Sequence, residues 1–359
     1  MRLAVFEAML TTLWRDRPAF VLTFVLPPTI FAIFALAFSG AAGGDLKVNL
    51  AIAAGPDDLS QELAETLAAS PEAQRVVRVD GADALREAVR SGVADAGGDI
   101  ARAAEDAPPR FVIYEDATRA AAALAAEKAL ARLAPAADED AYAGAALSRE
   151  RVNPANRDAP MAAYYVAGVA MLFLFLSGFQ SALTLIEERD AGLMERIAAG
   201  PGGAGRVVDG KFAFILCQGA VQSLIIVATA WAFFGVEFGF APHVLAAALL
   251  AAAFAAAGLT LGVTCLCRSK AQAHAVGVIL SLVLAALGGS MAPAFLMPDG
   301  VRALGATTPN ALGVEAFGAA LWRGGGFAAA AAPIGLLTAY GLAGLGLARL
   351  AATRALARP

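Results

Sequence analysis

Histidine, cysteine and charge are all scarce in this chain, and each scarcity narrows what it can do. Only two histidines, His243 and His274, occur in 359 residues. Both lie outside the one acidic stretch of the chain, so no nucleophile–histidine pair can form there. His274 reads as a satisfied interfacial histidine. The three cysteines, Cys217, Cys265 and Cys267, sit in or beside apolar runs and suggest no disulfide framework. Cys265 and Cys267 form a CxC next to Arg268, but a metal centre needs more N or S ligands nearby, and they read as small helix residues. Charged residues make up 16%, against about 25% in a soluble domain. With 59% hydrophobic residues and a mean hydropathy of +0.65, disorder is excluded. The net charge of −4 argues against a nucleic-acid binder, which needs a concentrated basic face.

What is present is membrane-spanning hydrophobicity. A spanning helix needs about 20 apolar residues. Six stretches qualify: 18–39, about 160–186, about 212–234, about 243–267, about 271–292 and about 327–348. None carries a charged residue mid-span, which argues against a proton-relay pump. Twelve Lys/Arg fall on one side: Arg2, Arg15 and Arg17; Arg189, Arg196, Arg206 and Lys211; Arg268 and Lys270; Arg349, Arg354 and Arg358. The opposite loops hold only Arg302 and Arg323 outside the acidic insert. The positive-inside rule then places both termini in the cytoplasm, with the first apolar run retained as a span, and predicts a bacterial inner-membrane, multi-pass protein. Ahead of that run, Leu3, Phe6, Leu10 and Leu13 recur at helical spacing. Residues 1–17 therefore predict an interfacial helix on the cytoplasmic leaflet.

Residues 45–159 hold 13 Lys/Arg against 21 Asp/Glu, a net of −8. Strand-like runs (46–52, 74–80, 110–116) alternate with helical ones (57–70, 83–92, 117–134), and 93–100 reads as a short strand. The fold class predicted is an α-helical membrane protein of six transmembrane helices with a small α/β extracytoplasmic domain inserted between helices 1 and 2. The insert with its linker covers 40–159, and residues 135–159 read as a return linker. Helices 2–6 occupy 160–359, with a cytoplasmic loop at 187–211 and an outer re-entrant segment at 293–323.

No nucleotide site is apparent. GPGGAGRV (200–207) has the glycine spacing of a P-loop but Arg206-Val207 where Lys-Ser/Thr is needed, and no strand precedes it. GLAGLG (341–346) lies inside an apolar span, where small residues allow close helix packing. Two other stretches are more informative. In LIEERDAGLMERIAAGPGGAGRVVDGK (185–211), a span runs straight into a charged segment, the form of a lever for a cytoplasmic partner. In GGSMAPAFLMPDGVRALGATTPNALGVEAFGAALWRGGG (288–326), Gly288-Gly289, Pro293, Pro298 and Pro309 cut apolar sequence into pieces too short to span. Glu315 belongs on the polar face of one piece, and Trp322-Arg323 fits an interfacial anchor. Within the spans, Gln180, Gln218 and Gln222 stand out. Gln218 and Gln222, four residues apart, share a helix face and either bond across helices or line a pathway.

These features in order resemble the permease subunits of type-2 ABC exporters. WRDRPAF precedes a span with LPP, and a large insert follows. EERDAGLMERIAAGP and GGSMAPAFLMP…TPN…LWRGG are similar to the family's two characteristic stretches. The resemblance implies that Arg189, Gly192, Glu195 and Arg196 lie on a coupling helix that docks on an ATPase subunit. It implies that Gln180, Gln218, Gln222, Pro293 and Glu315 contribute to a pathway or gate. No cofactor is bound directly; ATP and Mg act through the partner ATPase, and no catalytic or metal residue is expected. Further partners implied are a second permease subunit, identical or a close paralogue, membrane lipid and a periplasmic adaptor. The function this implies is ATP-driven export of an amphipathic or hydrophobic substrate. The alternatives are a membrane sensor or assembly scaffold with an extracytoplasmic ligand-binding domain, and an ATP-independent channel or carrier.

Overall fold

Hydropathy sets the framework: six helices are long and apolar enough to cross a membrane. A computed structural model describes residues 2–38, 48–70, 73–101, 110–116, 122, 126, 129, 146–152, 160–193, 205–238, 241–291, 297–323 and 326–356. The chain opens with an amphipathic helix α1 (Arg2–Arg15), then α2 (Arg17–Phe24) and α3 (Leu26–Phe38), which together form the first candidate span. The Asp16 side chain caps α2 by accepting from Ala19 N at 3.1 Å. Leu26-Pro27-Pro28 open α3, where missing amide protons cost least.

The remaining spans are α6 (Pro160–Ala182) continued by α7 (Thr184–Asp190), α8 (Gly205–Phe234), α9 (Pro242–Leu266), α10 (Lys270–Leu287) and α13 (Gly326–Leu356). Between the last two lie α11 (Asp299–Gly305) and α12 (Pro309–Leu321), of 7 and 13 residues, too short to cross. Two boundaries differ from the hydropathy reading. The third span begins at Gly205, not near 212, so Arg206, Asp209 and Lys211 are helical. The sixth runs past Arg349 to Leu356. Charge ends an apolar run but not a helix, because Arg and Lys are good helix formers.

Burial is uneven: 72% of the most apolar window of α6 and of α9 is buried, against 22% for α2–α3 and for α10. Tyr165, Met171 and Phe175 of α6 are fully enclosed. Alanine and glycine dominate α9, and α13 lies against it at backbone distance. A methyl group on Gly258 would strike the Gly341 carbonyl oxygen, and one on Gly262 would meet that of Gly344. With lipid as the surrounding solvent, such close van der Waals packing rather than water exclusion holds the helices together.

Between α3 and α6 stands a five-stranded mixed sheet: β1 (Val48–Ala54), β2 (Ala73–Arg78), β3 (Ala96–Ala101), β4 (Arg110–Glu115) and β5 (Ala146–Arg151), in the order β2-β1-β3-β4-β5. Only the β3–β4 pair is antiparallel. Alternation on β1 sorts the two faces. Val48, Leu50 and Ile52 pack on Leu63 and Leu67 of α4 (Asp58–Ala68), whereas Ala51 and Ala53 pack on Leu85 and Val89 of α5 (Gly81–Arg90). Strand β5 corrects the linker expectation for 135–159. Its sequence ALSRER lacks apolar alternation because it is an edge strand, held by pairing to β4 and by a fork from Arg86 to Glu150 (2.7 and 3.2 Å). The helix expected at 117–134 lies outside the described residues except Ala122, Ala126 and Ala129, which are buried on the α4 face of the sheet.

Candidate functional site

The span-to-lever transition at the end of α6 is the most heavily braced place in the bundle. After a one-residue offset at Leu183, α7 continues the direction of the span and stops at Gly192, whose φ of +68° is the left-handed value that ends helices. Three consecutive residues of α7 each hold a different element. Glu187 pairs with Lys270 at the start of α10 (2.5 Å). Glu188 pairs with Lys211 of α8 (2.8 Å). Arg189 spreads its guanidinium over two main-chain oxygens, donating to Cys267 O at 3.1 Å and Arg268 O at 2.8 Å. A planar five-donor fork suits that task and a lysine would not. Ser269 caps α10 by accepting from Gln272 N, and Arg268 N donates to Gln272 Oε1 (2.8 Å), so the turn held by Arg189 is itself fixed.

Lys211 is the unusual member. Its side chain is 0% exposed, and its ammonium donates to Thr184 Oγ1 (2.7 Å) as well as to Glu188. Above it, a polar seam climbs between α6 and α8. Ser181 Oγ lies 2.7 Å from Gln218 Oε1, and Ser177 Oγ lies 2.8 Å from Gln222 Oε1. The pairs 184/211, 181/218 and 177/222 ascend one helix while descending the other, as antiparallel neighbours must. Gln222 Nε2 and Ser223 Oγ are buried without a partner at the top of the seam. A buried polar group left unmatched costs about 1–3 kcal/mol, so these positions are maintained against stability.

At the opposite end of the bundle, Tyr164 donates to Gly289 O (2.6 Å) and Asn310 Nδ2 to Ser290 Oγ (3.1 Å), pinning the end of α10 to α6 and α12. Trp322 is 2% exposed and packs on Tyr164, which corrects its reading as an interfacial anchor: α6 and α12 enclose it. Glu315 is exposed, 3.9 Å from Arg323. Arg302 of α11 reaches buried Asp95 at 3.5 Å, and Asp95 also accepts from Asn49 N (2.9 Å), so the sheet and α11 are joined by a charge contact. A cavity of about 170 Å³ separates the Ser91-Gly92 turn of the insert from Tyr164, Glu315 and Arg323.

Within the insert the shifted ionisations have structural causes. Arg86 holds the Glu150 carboxyl below its ordinary range, and burial pushes Asp99 and Tyr114 up. Among the described residues no group of His, Cys, Asp and Glu could hold a metal ion.

Of the residues singled out in the sequence, Arg189 and Gly192 lie at the end of α7, while Glu195, Arg196 and Pro293 fall outside the described residues. Gln218 and Gln222 stand in bonds across helices. Gln180 is exposed and faces a cavity near α1, far along the chain from Glu315. Sequence reasoning missed Ser177, Ser181, Thr184 and Lys211. Their i, i+4 and i+3 spacing on a span was the available signal.

These features define a multi-pass membrane protein with a braced helical extension and no nucleotide-binding elements among the described residues. The family model described as "ABC-2 family transporter protein" matches residues 18–350, and the chain belongs to that family as a type-2 ABC permease subunit. No curated protein and no solved structure matches it significantly.

Proposed function

We propose that this permease subunit exports an amphipathic or hydrophobic substrate, driven by ATP hydrolysis on a separate subunit that docks at α7 and the segment following it. The family implies an ABC ATPase partner. The observation that carries the reading is the bracing of α7 by Glu187, Glu188 and Arg189 to three different elements. A displacement applied at α7 moves α8, the α9–α10 turn and α6 together instead of bending one helix end. The polar seam carries the same displacement further into the bundle. On this reading α7 and both termini are cytoplasmic, the sheet is extracytoplasmic, and α11–α12 form the outer gate. A second permease subunit completes the pore.

The test is affinity purification in mild detergent with mass spectrometry and an ATPase assay, on the wild type and on Arg189→Glu. We expect a co-purifying soluble ATPase whose association and activity fall at least tenfold in the variant. A chain that purifies alone in several detergents overturns the exporter reading in favour of a sensor or scaffold.

A further inference from the structure

Two cavities meet beneath the amphipathic N-terminal helix, and their linings are opposite in character. One, of about 280 Å³, is apolar and runs between α1, α2 and α8, walled by Leu10, Trp14, Phe20, Phe24, Val221 and Ile225. The other, of about 270 Å³, is polar and lies between α1–α2 and the α6–α7 junction, walled by Asp16, Gln180, Thr184, Glu187, Glu188 and Lys270. Leu13 and Phe214 line both, so the two are contiguous. Each alone falls below the range of about 300–1,000 Å³ typical of small-molecule sites, and together they enter it.

The charge in the polar half is unbalanced. Glu187 is paired with Lys270, and Glu188 with Lys211 behind the wall. Asp16 holds only the Ala19 amide, and no lysine or arginine among the described residues forms an ion pair with it. Its chain neighbours Arg15 and Arg17 are exposed and do not line the cavity. On either side of Asp16 along the chain stand Trp14 and Phe20, packed edge to face with centroids 5.4 Å apart. A carboxylate flanked by aromatic faces is the combination that receives an alkylammonium head.

We propose that this double cavity binds a single-chain cationic amphiphile, its ammonium head beside Asp16 and its tail in the aromatic groove. The proposal rests on the export reading and names the substrate class, loaded from the membrane side of α1–α2. A bilayer lipid is the competing occupant, and the complement to Asp16 disfavours an anionic one.

The test uses the full chain in phosphatidylcholine nanodiscs and three probes with the same brominated dodecyl tail: trimethylammonium, sulfate and maltoside. Trp14 is the reporter, identified by Trp14→Phe. We expect the ammonium probe to quench at about five-fold lower concentration than the other two, the gain of one partly exposed ion pair. Asp16→Asn, which keeps a competent helix cap, removes that preference while leaving maltoside binding unchanged. Equal quenching by all three heads, quenching that survives Trp14→Phe, or a preference that survives Asp16→Asn overturns the proposal. Because binding needs no ATPase, head-selective quenching without ATP-driven export overturns the exporter alone. Transport unaffected by Asp16→Asn together with unselective quenching overturns the site alone.

Discussion

Replacing Lys211 by methionine isolates the cost of an enclosed charge pair. The lysine side chain is fully enclosed and the Glu188 side chain 29% exposed. Removing one partner of a buried pair costs about 3–5 kcal/mol, and the partial access of water to Glu188 puts this case near the lower figure. For a chain of this size that corresponds to a fall in midpoint of about 5 °C. Thr184 keeps a partner, since its hydroxyl also donates to Ser181 O at 2.8 Å, so the loss belongs to the carboxylate. Removing both charges in Lys211→Met/Glu188→Leu leaves no orphan and recovers at least half of the loss. The assay is thermal denaturation of the purified protein in one detergent, read by size-exclusion fluorescence for wild type, both single variants and the double. A Lys211→Met midpoint within 1 °C of wild type, or a double variant less stable than either single, refutes the reasoning.

Two further predictions concern packing and acid. Gly258→Ala forces α9 and α13 apart and lowers stability by about 1–3 kcal/mol, whereas Gly346→Ala, with open space beside it, changes midpoint and yield little; both are read in the same denaturation assay. Glu150, held by Arg86 below its ordinary value of 4.5, contributes stability that is complete above that pH and is lost as pH falls through its lowered value. Glu150→Gln therefore shifts the midpoint slightly near neutrality and flattens its decline between pH 4.5 and lower pH, where the wild type must decline more steeply.

The six crossings were legible because hydrophobic length is a local property, and the helical end of the third was misplaced because helices do not stop where charge begins. The sheet was largely legible from alternating runs such as RFVIYE, but ALSRER was not: an edge strand is defined by its neighbour, and β4 lies thirty residues upstream. The same limit applies to the braced junction. Arg189 could be picked out from its charged surroundings, yet its partners Cys267 O and Arg268 O are main-chain atoms nearly eighty residues away, which no side-chain pattern reveals. Gln218 and Gln222 were visible as a polar face. Ser177 and Ser181, which give that face something to bond, are unremarkable residues in an apolar helix.

The glycine and alanine seam between α9 and α13 has a mechanical consequence. Where two helices touch through long side chains, rotamer changes let them slide or tilt with little strain. Where they touch backbone to backbone, as Gly258 does with Gly341, there is nothing to re-pack, and the pair is incompressible and without play. Whatever conformational cycle the protein runs, α9 and α13 travel through it as a single strut. The alternation of states falls to the boundaries that side chains fill, chiefly those of α2–α3 and α10, the least enclosed helices of the bundle.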